Sequence, residues 1–501
     1  YEEALLEAKA IVPSSKPDTE LDELCTFVIG ASSYYISEFK DAAFLLEGFL
    51  AAYPENEQAD TASYLRASAI SRLQKWEQAA ELLENYIAKH KNNKDSIYTP
   101  FAIYDLAYMQ YVQDDYKSAL KTLDKFSKRY PHSNILPQAL ILTGNNYLQQ
   151  KVRMLAISKY MQALEAGKRL HHKRAIDEAY YLLIDLVGKH TWDGLTNEHV
   201  LEAIPYYDAF MARQPKDSPF YLQTITSAQY ALKRAKREDE GLKTLVNAIF
   251  DKTSKRNTPG TEGALDTYIF TRLYNETSVQ DLMLEFQNKS TEANTRQNSL
   301  AIYAQINLLE RRQRAKPSDE NMAKINALYL DLLGDISPEI MDNFILLKLA
   351  NHLEAGSNIK DAKIYYSAIL NSGSDIKKKE AQLELAKLDQ GAGDAADLAK
   401  RAEKYRSFIE DPTTSGKAKA EAQYQLLEVL YLQEKWQDLS DGCVTYLKYR
   451  SSYKEHSRRV ELLYAIAYDK MHFIDLAVSS YRIVLAQAMT QLEYSAVAMD
   501  R

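Results

Sequence analysis

The chain has 501 residues, of which only 16 are glycine and 13 proline, about half the usual share of turn formers. At 46% apolar and 26% charged residues it can bury an ample core, which excludes wholesale disorder, and no apolar run approaches the roughly 18 residues of a membrane span. Cys25 and Cys443, 418 positions apart, offer neither a disulfide framework nor a metal cluster, and a net charge of −7 argues against a general polyanion binder. The composition therefore predicts an all-α chain, with one anomaly: 36 tyrosines against 14 phenylalanines and 3 tryptophans.

In chain order, residues 1–20 open on Tyr1-Glu2-Glu3-Ala4 followed by Leu5, Leu6 and Ala8, then Pro13 and Pro17, which predicts the second helix of a truncated repeat. Residues 21–169 are periodic. Phe39-Lys40-Asp41-Ala42, Trp76-Glu77-Gln78-Ala79 and Tyr116-Lys117-Ser118-Ala119 each set a large residue, two polar residues and an alanine ahead of an apolar helical face. That face is carried by Leu46 and Phe49, by Leu83 and Tyr86, and by Leu123 and Phe126. Twelve residues after the alanine the helix meets proline, at Pro54 and Pro131, which lacks the amide donor and clashes with the preceding turn. Twelve residues before the alanine the chain is small again, at Gly30, Ala67, Ala107 and Gly144. Small residues at matched positions let two backbones approach, so each unit is predicted to be a helix-turn-helix hairpin.

Extended along the chain, this register places anchors at Ala4, Ala42, Ala79, Ala119, Ala156, Ala203, Gly241, Asp281, Lys324, Ala362, Leu398, Leu439 and Ala477, a mean spacing near 39. Asp281 and Lys324 fit it least well. Residues 170–339 read as degenerate repeats with insertions at His190-Thr191-Trp192-Asp193-Gly194 and at Thr253 to Gly263, the latter a solvated loop by composition. Residues 340–489 return to regular repeats, and 490–501 begin a further first helix. With neither end carrying a polar cap, the sequence reads as a segment of a longer protein, the alternative being a native chain with irregular caps.

The pattern of small residue, aromatic three later, large-x-x-Ala and terminal proline resembles the tetratricopeptide repeat, as in Gly144-Asn145-Asn146-Tyr147. Phe126-Ser127-Lys128-Arg129-Tyr130-Pro131-His132-Ser133, followed by Leu136-Pro137-Gln138-Ala139, is similar to the long repeats of bacterial envelope proteins such as the Tol-Pal coordinator and the BamD type of assembly lipoprotein. The resemblance implies a right-handed superhelical solenoid of about twelve stacked hairpins, each touching only its neighbours, whose first helices line a groove that holds peptides or partner proteins. It implies a periplasmic or outer-membrane-associated setting and partners in a multi-protein envelope complex; a cytoplasmic setting is the alternative.

On that resemblance the groove-facing positions are Phe101, Tyr104, Tyr108 and Tyr111, a stripe at i, i+3, i+7 and i+10, with Tyr34, Tyr35 and Tyr64 at equivalent positions in flanking repeats. A tyrosine stripe offers rigid apolar area with a hydroxyl tip, suited to protein recognition. The other reading of the same rings is packing between adjacent first helices. Of the basic and asparagine residues with which chaperone-binding members clamp a carboxylate, only Asn145 is suitably placed.

Other chemistry is sparse. His171-His172, His190 and His199 lack the i, i+4 pairing with a carboxylate that a metal site on a helix face requires, and no phosphate-cradling glycine loop, Gly-x-Ser-x-Gly elbow or Cys-His pairing occurs. No cofactor, metal or catalytic activity is expected. The basic clusters Lys168–Arg174, Lys233–Arg237, Arg311–Lys316 and Lys377–Lys379 all have carboxylates nearby, which predicts salt-bridged solvated faces rather than a nucleic-acid stripe. The function expected is a non-catalytic scaffold. Its rivals are a structural subunit of a large assembly joined through solenoid edges and ends, and a regulatory segment of a larger enzyme.

Overall fold

The computed structural model describes residues 2–11, 20–73, 75–91, 96–124, 126–188, 200–289, 292–375, 377–388, 395–411, 416–448 and 456–487. The insertion around Trp192, His190, His199 and the helix expected over 490–501 lie outside them. All regular structure among the described residues is helical. The chain divides into two compact units, Tyr1–Leu245 and Val246–Arg501.

In the first unit α1 (Glu2–Ile11) precedes a series of antiparallel pairs. These are α2 (Glu20–Tyr35) with α3 (Phe39–Ala52), α4 (Ala59–Arg72) with α5 (Trp76–Lys89), and α6 (Thr99–Val112) with α7 (Tyr116–Leu123) and α8 (Phe126–Arg129). There follow α9 (Leu136–Gln149) with α10 (Arg153–Arg169), α11 (Lys173–Gly188) with α12 (Ala203–Ala212), and α13 (Tyr221–Arg234) leading into α14 (Glu238–Ile249). The second unit continues with α15 (Thr261–Tyr274) and α16 (Val279–Lys289), α17 (Arg296–Ala315) and α18 (Asp319–Asp335), α19 (Asn343–Ala355) and α20 (Ile359–Leu370). Its last pairs are α21 (Lys378–Leu388) and α22 (Ala395–Glu410), α23 (Gly416–Leu432) and α24 (Trp436–Lys448), α25 (Ser457–Lys470) and α26 (Ile474–Gln487).

Seven of the described hairpin turns follow one rule. A residue in the left-handed region ends the first helix five positions before the anchor: Ser37, Asp114, Lys151, Lys236, Ser357, Glu434 and His472 all have φ between 55° and 69°. The anchors Ala42, Ala79, Ala119, Ala156, Ala203 and Ala362 are fully buried. Two anchors are corrected. After the left-handed Glu276 the α16 helix takes one extra residue, so Leu282 rather than Asp281 is buried. Ser318, whose side chain caps Asn321 N at 3.2 Å, starts α18 without a left-handed turn, and Ile325 rather than Lys324 is buried.

Small residues face the anchor helix as expected. A Cβ on Gly30 would stand 2.8 Å from Leu46 Cδ2, and one on Gly144 only 2.4 Å from Tyr160 Cε1. Beyond their neighbours along the chain, first helices pack on the next first helix: α2 on α4, α4 on α6, α6 on α9, α9 on α11, and in the second unit α15 on α17 and α17 on α19. Among the described residues no two successive second helices come as close. First helices therefore lie on the inner side of each unit's curve, where the repeat spacing is shorter.

The second helices are stitched at one end by a repeating clamp. Arg129 donates to the Lys91 carbonyl and Arg169 to the Pro131 carbonyl at 2.8 Å, in each case one repeat back, while Arg213, just past α12, meets Asp177 on α11 of its own hairpin at 3.3 Å.

The segment before α15 departs from the solvated loop expected. Arg256 donates to the carbonyls of Met341 and Glu339 and to Asn343 Oδ1, and the backbone NH of Asn257 donates to Asp342. Asp342, fully buried, is also held by Arg296 Nε at 2.8 Å. The start of α15 is thus tied to the start of α19 across the intervening repeat, and Lys377 reaches Glu262 at 3.4 Å from one repeat further.

Candidate functional site

The tyrosine stripe lies on α6, and its members have unequal surroundings. Tyr108 is 46% exposed, Tyr104 and Tyr111 are half-buried against the core beneath α9 and α10, and Phe101 packs on the cluster built around Leu65, Leu83 and Met109. The rings of Tyr104 and Tyr108 lie 6.4 Å apart and 18° from parallel. Tyr111 packs on Tyr116, with ring centroids 5.7 Å apart, and its hydroxyl accepts from Gln149 Nε2 at 3.4 Å.

The flanking positions are more deeply engaged. Tyr64 is only 8% exposed; its ring stacks on Tyr98 at 4.9 Å and its hydroxyl donates to Asp105 Oδ2 at 2.9 Å. Tyr34 is half-buried and hydrogen-bonded to Ser68 at 2.9 Å, and Ser68 in turn lies 3.5 Å from Asp105. Tyr35 is 45% exposed and meets Tyr34 edge-on. Asn145 accepts from Tyr160 at 2.7 Å. The structure thus brings Phe101, Tyr104, Tyr108, Tyr111 and Asn145 onto adjoining first helices, with Tyr34 and Tyr64 linked to them through Ser68 and Asp105.

Carboxylates absent from the sequence expectation complete this face. Burial of Asp105 raises its pKa to about 6, against the opposing pull of Tyr64 and Arg72. Burial also raises the carboxyl of Glu178, on α11, with the charge of Arg174 acting against it. Tyr104 is pushed up to about 12 by burial and then by Asp105, Glu178 and Tyr108. Glu178 and Asp185 also act on Tyr160. Asp105 sits four residues after Phe101 and three before Tyr108, so its place on the stripe was readable; Glu178 had no such local signal.

The inner face of the second unit is a chain of satisfied ion pairs. Lys348 bonds Glu310 at 2.7 Å, Lys387 meets Glu384 at 2.8 Å and Glu421 at 3.5 Å, and Arg459 grips Glu428 at 2.7 and 3.0 Å. The expected pairing of the basic clusters is found too: Lys168 with Glu165, Lys233 with Glu238, Arg237 with Asp208 and Glu240, Arg311 with Asp266 and Lys379 with Asp411. Among the described residues no group of three or more His, Cys, Asp or Glu is placed to hold a metal ion, and no helix is long and apolar enough to cross a membrane.

No protein-family model matches the sequence, and neither does any curated protein. Among solved structures, the chain is similar to one in the crystal structure of the APC/C hetero-tetramer Cut9–Hcn1, at 15% identity over 98% of both chains with a TM-score of 0.34. It is also similar to a tetratricopeptide repeat protein from Parabacteroides merdae, at 10% identity over 65% of this chain and 98% of that one, with a TM-score of 0.35. With identities and TM-scores this low, the all-α hairpin fold stands on the chain's own helix packing.

Proposed function

We propose that this chain is a non-catalytic scaffold of the tetratricopeptide type, holding peptides or partner proteins on the inner face of its first unit. The observation that carries the reading is Tyr108: a large ring, 46% exposed, in the middle of a row of first helices whose other aromatic groups are mostly packed or hydrogen-bonded. Exposed aromatic area on a rigid helical face suits recognition, because little side-chain entropy is lost on contact. The long-repeat motif over Phe126–Ser133 supports a bacterial envelope setting, with partners in a multi-protein envelope complex. A second reading, a structural subunit joined through its edges, draws on the exposed Phe473, Ile474 and Leu476 at the start of α26.

Site-specific photo-cross-linking separates the two. A benzophenone side chain at position 108 should cross-link a defined partner in native-source lysate, while one at Phe44, 75% exposed on the second helix α3, should not. Cross-linking at 474 and not at 108 would reject the inner-face reading in favour of the edge.

A further inference from the structure

The outer side of the first unit carries a charge that the chain as a whole does not. From Tyr116 to Leu164, over α7 to α10, stand eight lysines and arginines and a single carboxylate, Asp124, in a chain whose net charge is −7. Lys117, Lys121, Lys128 and Lys151 form no ion pair with a described residue, whereas each of the basic clusters above has found a carboxylate. Within this stretch a second helix is interrupted. Asp124, at φ −57° and ψ 137°, ends α7, and the helix resumes at Phe126 as α8, where α3, α5 and α10 run on unbroken. At the interruption a cleft of about 200 Å³ opens between α7–α8 and α10, over the side of α9. Asp124, Ser127 and Lys128 stand on one wall, Lys159 on the other, and Thr143 and Tyr147 on the floor. Lys159 bonds the neutral Gln162 at 3.2 Å, while the Ser127 and Lys128 side chains and the Tyr147 hydroxyl bond no described residue. Leu155, one turn before Lys159 on α10, is 46% exposed.

A surface with this excess of one charge steers partners of the opposite sign and selects among them. A carboxylate set between two lysines and two hydroxyl groups gains charge-assisted hydrogen bonds. The cleft is recessed between two helices, which admits a single extended chain and excludes a duplex or a bilayer surface. The exposed Glu77, Glu81 and Glu84 of the preceding second helix, α5, pair with none of these cations and interrupt the continuous basic stripe that a nucleic acid requires. We propose that this outer cleft receives an acidic segment of a partner protein, with one aspartate or glutamate entering between Lys128 and Lys159 and its acidic neighbours meeting Lys121 and Lys117 along α7. Leu155 supplies apolar contact at the rim. The site lies among second helices, so it stands apart from the inner-face reading.

The test is selection of a phage-displayed peptide library rich in aspartate and glutamate against the full chain, with phosphatidylserine vesicles and a DNA duplex as parallel probes. Reversing both lysines, Lys128→Glu with Lys159→Glu, should weaken the selected peptides about tenfold or more, while Tyr108→Ala leaves them unchanged. Peptides whose central acid is changed to lysine should regain binding on the reversed variant, a recovery that a merely structural role would not give. Neither lysine is in the core, so the variant should keep the helical circular dichroism of the wild type; Lys128→Gln with Lys159→Gln gives the same reading with less change of charge. Acidic peptides that bind the reversed variant as tightly as the wild type would overturn the site, and their loss on Tyr108→Ala would assign them to the inner face instead. Failure to enrich any acidic peptide, or binding of the vesicles or the duplex alone, would overturn the assignment of an acidic protein partner.

Discussion

The hydroxyl of Tyr160 on α10 donates to Asn145 Oδ1 on α9 at 2.7 Å, and its ring lies so close to Gly144 that a Cβ there would stand 2.4 Å away. The ring passes over the glycine from the second helix to the inner face. The same device recurs at Tyr366, four residues after its anchor Ala362, which donates to Asn351 at 2.6 Å. Where other repeats place Leu46 or Leu83 at this position, these two place tyrosine and supply an asparagine to receive it. That accounts for some of the tyrosine excess.

Gly144→Ala should therefore cost roughly 2 to 3 kcal/mol, since both the ring and the backbone of α9 must give way. Tyr160→Phe keeps the packing and leaves Asn145 without its donor, so about 1 kcal/mol is expected. Denaturant unfolding of both variants checks the pair; equal losses would mean that the hydroxyl, not the close approach, dominates.

Asp342 with Arg296 and Arg256 is the second unit's long-range tie. Removing the acid in Asp342→Ala leaves Arg296, which is buried, without its counter-charge and should cost about 3 to 5 kcal/mol. Amides of 255–258 should lose exchange protection in the same variant, because the Asn257 NH loses its acceptor. Unchanged protection there would show that the connection is held by other contacts.

Two carboxylates give opposite pH dependence. Burial alone would raise Glu421, but hydrogen bonds from His456 at 2.8 Å and Gln425 at 3.0 Å, with the charge of Lys387, pull it down to about 2. A folded pKa below the ordinary value near 4.5 contributes stability above that pH, which is lost as pH falls toward 2. Glu421→Gln should flatten the acid side of the stability profile over that interval.

Asp105 works the other way. Raised from 3.8 to about 6, it contributes stability that is full below pH 4 and lost as pH rises through 6. Its carboxyl carbon should titrate near 6 by NMR, and Asp105→Asn should remove the decline in first-unit stability across that window. A titration midpoint near 4 would place Asp105 in water.

The hairpin register was legible because it depends on local chemistry: a small residue, a left-handed turn such as Ser37 or Lys151, and a buried anchor five residues on. It slipped by one at Leu282 and Ile325, where turn geometry rather than residue type sets the phase. The union of Arg256 with the segment before α19 spans 83 to 87 residues and leaves no periodic trace, so composition alone suggested a solvated loop. Stripe residues were legible as a face. Their unequal burial, with Tyr64 inside and Tyr108 outside, depends on the neighbouring first helices.

Tyr108→Ala tests the central claim most directly, with affinity for the partner cross-linked through position 108 and the thermal unfolding midpoint measured on the same preparation. An exposed aromatic anchor should lose roughly 2 kcal/mol of binding, about thirtyfold in Kd, with the midpoint essentially unmoved. An unchanged Kd per folded molecule together with a sharply lowered midpoint would make Tyr108 a packing residue and contradict the assignment of the inner face as the binding surface.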